Sequence, residues 1–143
     1  MDKPVSSNLR FGEAPKAERP LWQSIRRGLF CRCPSCGEGR LFKAFLKPVD
    51  SCAHCGEAMH HQRADDLPPY LVILVLGHVV IGGYMAQDQI MPLSLLATFA
   101  LWTPVTIVVA LLSIQPIKGA VIGLQWALRM HGFSGIEEQP EHP

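Results

Sequence analysis

From Leu67 to Ile117 the chain reads LPPYLVILVLGHVVIGGYMAQDQIMPLSLLATFALWTPVTIVVALLSIQPI, 51 residues with one charge, Asp88. Two apolar segments divide this run, 67–87 and 92–114. A helix over 67–87 is about 31 Å long, close to the hydrocarbon thickness of a bilayer. Tyr70 and Tyr84 stand near its ends, where amphipathic rings favour the membrane–water boundary. Only Asp88–Met91 joins the segments, so the two helices have to run antiparallel as a tight hairpin. Two adjacent apolar helices without polar stripes have little use in a soluble core, and a transmembrane hairpin over 67–114 is expected. Pro104 frees the carbonyl of Ala100 and should bend the second helix, with Thr103 or Thr106 available to compensate.

Charge is concentrated before the hairpin. Residues 1–66 hold 11 Lys and Arg against 8 Asp and Glu, although the whole chain is only +1. Between Arg19 and Lys47 seven cations face Glu38 alone. The hairpin turn has Asp88 and no cation, so the positive-inside rule places both termini in the cytoplasm. No apolar run occupies the first 20 residues, so a cleavable leader is not expected and insertion falls to the internal segments. Residues 1–19 are too polar to bury a core and are expected to be disordered.

Cys33-Pro-Ser-Cys36-Gly and Cys52-Ala-His-Cys55-Gly form C-x2-C-x15-C-x2-C, the spacing of a four-thiolate zinc site. Two intervening residues let a tight turn aim both sulfurs at one ion. Gly37 and Gly56 permit the positive φ that closes each turn. The odd count of five cysteines, clustered in pairs, argues for metal ligation in a reducing compartment rather than disulfides. A closed shell of Cys33, Cys36, Cys52 and Cys55 leaves no position for substrate, so the ion is structural; zinc is expected, and iron takes the same ligands. Arg32, Arg40 and Lys43 would offset the net −2 of a zinc tetrathiolate. Cys31 reads as a spare thiol, His54 as an exposed turn residue, and His60 and His61 as a polar connection. A thiol–disulfide role for C-P-x-C is the weaker reading, because a second matched pair is present.

Around this ribbon, residues 20–66 also hold a short amphipathic helix at about 20–30, with Pro20 suited to its first turn. Leu21, Trp22, Ile25 and Leu29 share a face. Two readings are open: a helix packed on the ribbon, or a membrane-surface helix with Trp22 at the headgroups. Asp65 and Asp66 read as a helix cap and water-side anchor. After Gln115-Pro116, residues 115–131 are too short and too charged for a third span. Lys118, Gln125 and Arg129 fall on one side, giving an interfacial amphipathic helix with its polar edge to water. Gly119, Gly123 and Ala127 form a small-residue stripe through which two helices, in one chain or a homo-oligomer, could approach closely. The tail 132–143 is acidic and expected to be loose.

His78 lies mid-span, where ionisable groups are costly. One reading is a neutral imidazole bonded to the neighbouring helix at Thr103 or Thr106. The other is a copper or haem ligand, with Met85 on the same face and Met91 beyond it.

The basic RRGLFCRCPSCGEGRLFKAFLK, the second C-x-x-C-G, the acidic ADDLPPY entering a span, and PIKGAVIGLQWALR after the next together resemble the DUF983 family over roughly 20–131. These are small bacterial membrane proteins. The resemblance implies an inner-membrane location and an accessory role in respiratory oxidase assembly. Where family members often carry Asp-Gly-Pro-Ala, this chain has Asp66-Leu67-Pro68-Pro69.

The expected fold is mainly α: an N-terminal zinc ribbon, a two-helix transmembrane hairpin and a C-terminal interfacial helix. No nucleophile with a base, phosphate-binding loop or paired catalytic carboxylates is present, so an enzyme is not expected. The leading reading is an adaptor at the lipid bilayer, presenting Arg26, Arg27, Lys43 and Lys47 to a membrane-protein partner or anionic lipid. The alternative is a metal or haem handling factor built on His78. Nucleic-acid binding is disfavoured by the membrane tether.

Overall fold

The computed structural model describes residues 18–64 and 66–134. Most of the two expected tails, and Asp65, lie outside the described residues. In chain order the elements are α1 (Leu21–Leu29), β1 (Phe42–Ala44), β2 (Lys47–Pro48), α2 (Leu67–Ile90), α3 (Leu95–Ala127) and a single 3-10 turn, His131–Ser134. The strands form one short antiparallel hairpin, Phe42 opposite Pro48, turned through Leu46 at φ 57°.

Both long helices satisfy the length and apolarity needed to cross a membrane. Helix α2 opens with Asp66 in the N-cap position, but the carboxylate makes no capping hydrogen bond. The sequence itself reduces the need for one, because Pro68 and Pro69 carry no N–H to satisfy. The hairpin turn lies three residues later than the expected 88–91 connection, over 91–94, because α2 runs on to Ile90. Ser94 begins α3, its hydroxyl oxygen accepting from Ala97 N–H at 3.4 Å. Across the hairpin the Trp102 ring lies against Gly83, where a Cβ would overlap it. The Trp102 indole N–H also donates to Gln87 Oε1 at 3.3 Å. Gln87 in turn donates to the carbonyl of Met91 at 2.6 Å, so one side chain pins both the turn and the second helix.

Helix α3 overturns the expectation of a separate interfacial helix over 115–131. It is continuous for 33 residues and contains both Pro104 and Pro116. At 1.5 Å per residue it is about 50 Å long, well beyond a hydrocarbon thickness of about 30 Å. Leu95 to Ile114 covers the apolar length; the remainder projects past it. All its buried residues lie in that remainder, between Gly119 and Trp126. An interior proline costs about 3 kcal/mol, and the burial C-terminal to Pro116 supplies what local propensity lacks.

That projecting end and the ribbon share one core. Leu41 and Met59 from the ribbon are fully buried with Ile122, and Val121, Trp126 and Phe133 join the same cluster with Cys33, Phe42, Cys52 and Ala64. Helix α1 closes the other side of α3. Its buried residues are Ser24 and Gly28, and not the apolar face of Leu21, Trp22 and Leu29, all of which are exposed. A Cβ on Gly28 or Gly119 would overlap the other's carbonyl, and a Cβ on Gly123 would overlap the carbonyl of Ser24. The small-residue stripe is therefore filled by α1 of the same chain, which removes Gly119 and Gly123 as a homo-oligomer contact.

Two further expectations change. Gln125 does not face water: it is buried and reads the backbone of Arg63 at both groups, accepting from its N–H at 3.1 Å and donating to its C=O at 3.0 Å. Arg19, expected to belong to the disordered stretch 1–19, is an anchor. Its guanidinium sits 4.3 Å from the Trp126 ring centroid, donates to the Trp126 carbonyl at 2.7 Å, and pairs with Glu57 at 3.6 Å. Trp126 Nε1–H also reaches Glu57, at 2.9 Å.

Candidate metal centre

Each cysteine pair sits on the same local turn. Gly37 N–H donates to the carbonyl of Cys33 at 2.8 Å, and Gly56 N–H to that of Cys52 at 2.9 Å. The two glycines have φ of 79° and 74°, the left-handed values that the C-x2-C-G spacing requires. The knuckles are then fastened to flanking backbone, Cys33 N–H to Gly39 O at 2.8 Å and Cys52 N–H to Glu57 O at 2.9 Å.

These turns bring the four sulfurs within 4.8 Å of one another. Cys33 and Cys55 are 3.8 Å apart, as are Cys36 and Cys52. Sulfurs placed tetrahedrally about 2.3 Å from an ion have edges of about 3.8 Å, so the thiol set fits a tetrahedral metal. The same separation far exceeds a disulfide bond, and all five cysteines are free. Cys33, Cys36, Cys52 and Cys55 could thus hold a metal ion. Among the described residues no other group brings three His, Cys, Asp or Glu ligand atoms together.

The thiols are not equivalent. Burial pushes Cys33 well above the ordinary thiol range, and burial also raises Cys55. Cys36 is half-buried. Burial is the largest single influence and raises it, but backbone N–H groups of Gly39 and Glu38 and the neighbouring thiols together bring it down to about 6. The Glu38 N–H lies 3.4 Å from Cys36 Sγ. Cys31 stands outside the cluster at φ 58°, its thiol raised by burial.

Other residues singled out in the sequence are placed as follows. His54 is exposed and 3.6 Å from Glu38. His60 and His61 are in ring contact, centroids 3.9 Å apart and planes tilted by 42°, and His61 meets Phe133 edge to face. His78 is exposed, and its Nδ1 is 2.8 Å from the carbonyl of Leu74, one turn back in its own helix. It does not reach Thr103 or Thr106. Thr106 donates to the Trp102 carbonyl at 2.7 Å, not to the Ala100 carbonyl freed by Pro104. Met85 and Met91 are exposed on α2 and its C-cap.

The four cations grouped as a basic surface divide into two kinds. Arg27 donates to the carbonyls of Pro34 at 3.1 Å and Ser35 at 2.6 Å, and its side chain lies against Gly37. It braces the first knuckle. Lys43 pairs with Asp50 at 2.8 Å, a contact that holds the Asp50 carboxyl below its ordinary range. Arg26 and Lys47 are exposed and carry no such contact. The brace from Arg27 had a sequence signal only in its closeness to the knuckle; Ser24-x-x-x-Gly28, the counterpart of Gly119-x-x-x-Gly123, was visible but masked by the larger residues beside it.

The DUF983 family, described as a protein of unknown function, matches this chain over residues 42–126. The matched span contains Cys52 and Cys55, both apolar helices and the buried end of α3, and begins after Cys33 and Cys36. No curated protein and no solved structure matches the chain.

Proposed function

The chain belongs to the DUF983 family of proteins of unknown function, and we propose that this member is a non-enzymatic membrane adaptor. In this reading α2 and the first part of α3 span the bacterial inner membrane. A zinc-stabilised ribbon is held at the cytoplasmic face, with both termini on that side. Zinc is the ion assigned to the four thiolates, and iron is the other ion that such a shell accepts. When bound, the ion supplies folding free energy and no reaction, because four thiolates close its coordination.

One observation carries the proposal. Helix α3 is continuous from an apolar, outward-facing stretch into the core of the ribbon. The ribbon therefore does not swing on a linker: its orientation is fixed to the hairpin axis by α1, Gln125 and Trp126. A rigid platform of this kind suits presentation of a surface to a membrane-protein partner. Arg26 and Lys47 are the free cations of that surface, while Leu21, Trp22 (77% exposed) and Leu29 of α1 are suited to the headgroup layer. Assembly of a respiratory oxidase is the process to which the family resemblance points.

Photo-crosslinking in cells tests the adaptor role. A crosslinker at Lys47 should yield a discrete adduct with a membrane protein, lost on Arg26→Glu with metal content unchanged. The same probe at Gln89, at the far end of α2, should not give that adduct. An identical adduct at Gln89, or none at Lys47 in folded protein, would remove the adaptor reading. Copper or haem handling through His78 is the second reading; among the described residues no group of three His, Cys, Asp or Glu ligand atoms includes His78.

A further inference from the structure

Arg32 and Arg40 face each other across an antiparallel bridge. The flanking hydrogen bonds, Cys33 N–H to Gly39 O at 2.8 Å and Leu41 N–H to Cys31 O at 2.9 Å, define a non-hydrogen-bonded pair. In that geometry Cα atoms stand about 4.5 Å apart and the side chains leave on the same face. Like charges directly opposite one another destabilise a strand pair. Neither guanidinium has an ion-pair partner among the described residues; Arg32 makes one long contact to the Gly37 carbonyl, at 3.5 Å. Glu38 shares the cavity wall but its carboxylate lies toward His54, 3.6 Å away.

The two arginines line a cavity of about 440 Å³ together with Phe30, Glu38, Phe42 and Gln115, a size within the range of small-ligand sites. Its position limits the occupant. Gln115 follows directly on the apolar run of α3 that ends at Ile114, so the cavity opens where that helix leaves the hydrocarbon. Phe30 is 68% exposed at the rim, and an apolar ring beside paired guanidiniums matches a ligand with an anionic head and a greasy body. Guanidinium N–H pairs suit phosphate oxygens bidentately.

The geometry points to a binding site for the phosphate headgroup of an anionic phospholipid, held between Arg32 and Arg40. The lipid supplies the contact ion-pair partner that no described residue gives these two guanidiniums, and its chains continue past Phe30 into the bilayer. This site rests on the membrane placement of the proposed function and specifies which cations meet lipid: a built pair in the ribbon, distinct from Arg26 and Lys47.

The test uses the full-length, metal-loaded protein in phosphatidylcholine micelles with and without phosphatidylglycerol, reading lipid retention by native mass spectrometry and thermal unfolding in parallel. Phosphatidylglycerol should be retained and should raise the unfolding temperature of the natural chain. Arg40→Gln should reduce retention by about ten-fold or more, the loss of at least one charge-assisted hydrogen bond. Arg26→Gln with Lys47→Gln removes more charge outside the cavity and should leave retention nearly unchanged. Equal loss in both variants would reduce the effect to bulk charge, and an undiminished Arg40→Gln would eliminate the site. Displacement of the lipid by millimolar inorganic phosphate or glycerol 3-phosphate would overturn the lipid assignment in favour of a free phosphate. Metal content and membrane extraction are recorded for every sample. Their loss speaks against the adaptor reading, whereas failure of retention with both intact speaks against this site alone.

Discussion

Gly28 and Gly119 are packed backbone to backbone: a Cβ on either would overlap the carbonyl oxygen of the other. This contact, repeated one turn on by Ser24 and Gly123, sets how closely α1 approaches α3 and so how the ribbon is mounted on the hairpin.

Gly119→Ala should therefore destabilise the extramembrane part by about 1–3 kcal/mol, the usual cost of overpacking a close contact. Gly82→Ala is the control, because a Cβ there meets open space and alanine favours a helix. Thermal unfolding of the two variants side by side should show a lowered midpoint for Gly119→Ala only. Equal behaviour would mean that α1 does not hold this position.

Gln125 joins the end of α3 to the chain between the ribbon and the first long helix. Replacing it by Leu removes both hydrogen bonds to the Arg63 backbone, at a cost of about 0.5–1.5 kcal/mol for each such bond. Gln125→Glu should not rescue, since a carboxylate still accepts from the N–H but faces the carbonyl with no donor. Chelator-induced unfolding at fixed temperature compares the three chains. Wild-type resistance in Gln125→Glu would show that the Arg63 carbonyl bond is dispensable.

Local rules made the knuckles legible and long-range packing did not. The C-x2-C-G spacing dictates its turn within five residues, and Gly37 and Gly56 take the positive φ that the spacing requires. Hydropathy likewise located both long helices, because apolarity is a property of the segment itself. Pro116 was misleading for the opposite reason: a proline signals a break from local chemistry, whereas the continuity of α3 depends on residues almost a hundred positions away in α1. Gln125 meeting Arg63, and Arg19 covering Trp126, join parts of the chain with no shared periodicity. A helical wheel assigns Gln125 to the wet edge because it does not know what packs on it.

Orientation has its own test. A reporter active only outside the cytoplasm should be active when inserted between Asp88 and Gln89, at the end of α2, and silent at either terminus, because all thirteen Lys and Arg lie outside residues 88–94. Activity at the termini with silence in the turn would invert the topology and place the ribbon in an oxidising compartment, where its thiols would be poorly suited to metal.

The most direct measurement of the account is the metal content per chain of the protein extracted from carbonate-washed membranes, for the natural chain and for single cysteine variants. About one zinc should accompany each natural chain, since a structural tetrathiolate site supplies about 10–16 kcal/mol of folding free energy in finger peptides. Serine at Cys33, Cys36, Cys52 or Cys55 should remove the ion and unfold the ribbon, and Cys31→Ser should retain it. Membrane-extracted natural chain without bound metal, or a Cys31→Ser chain that loses metal as the other four do, would contradict the account.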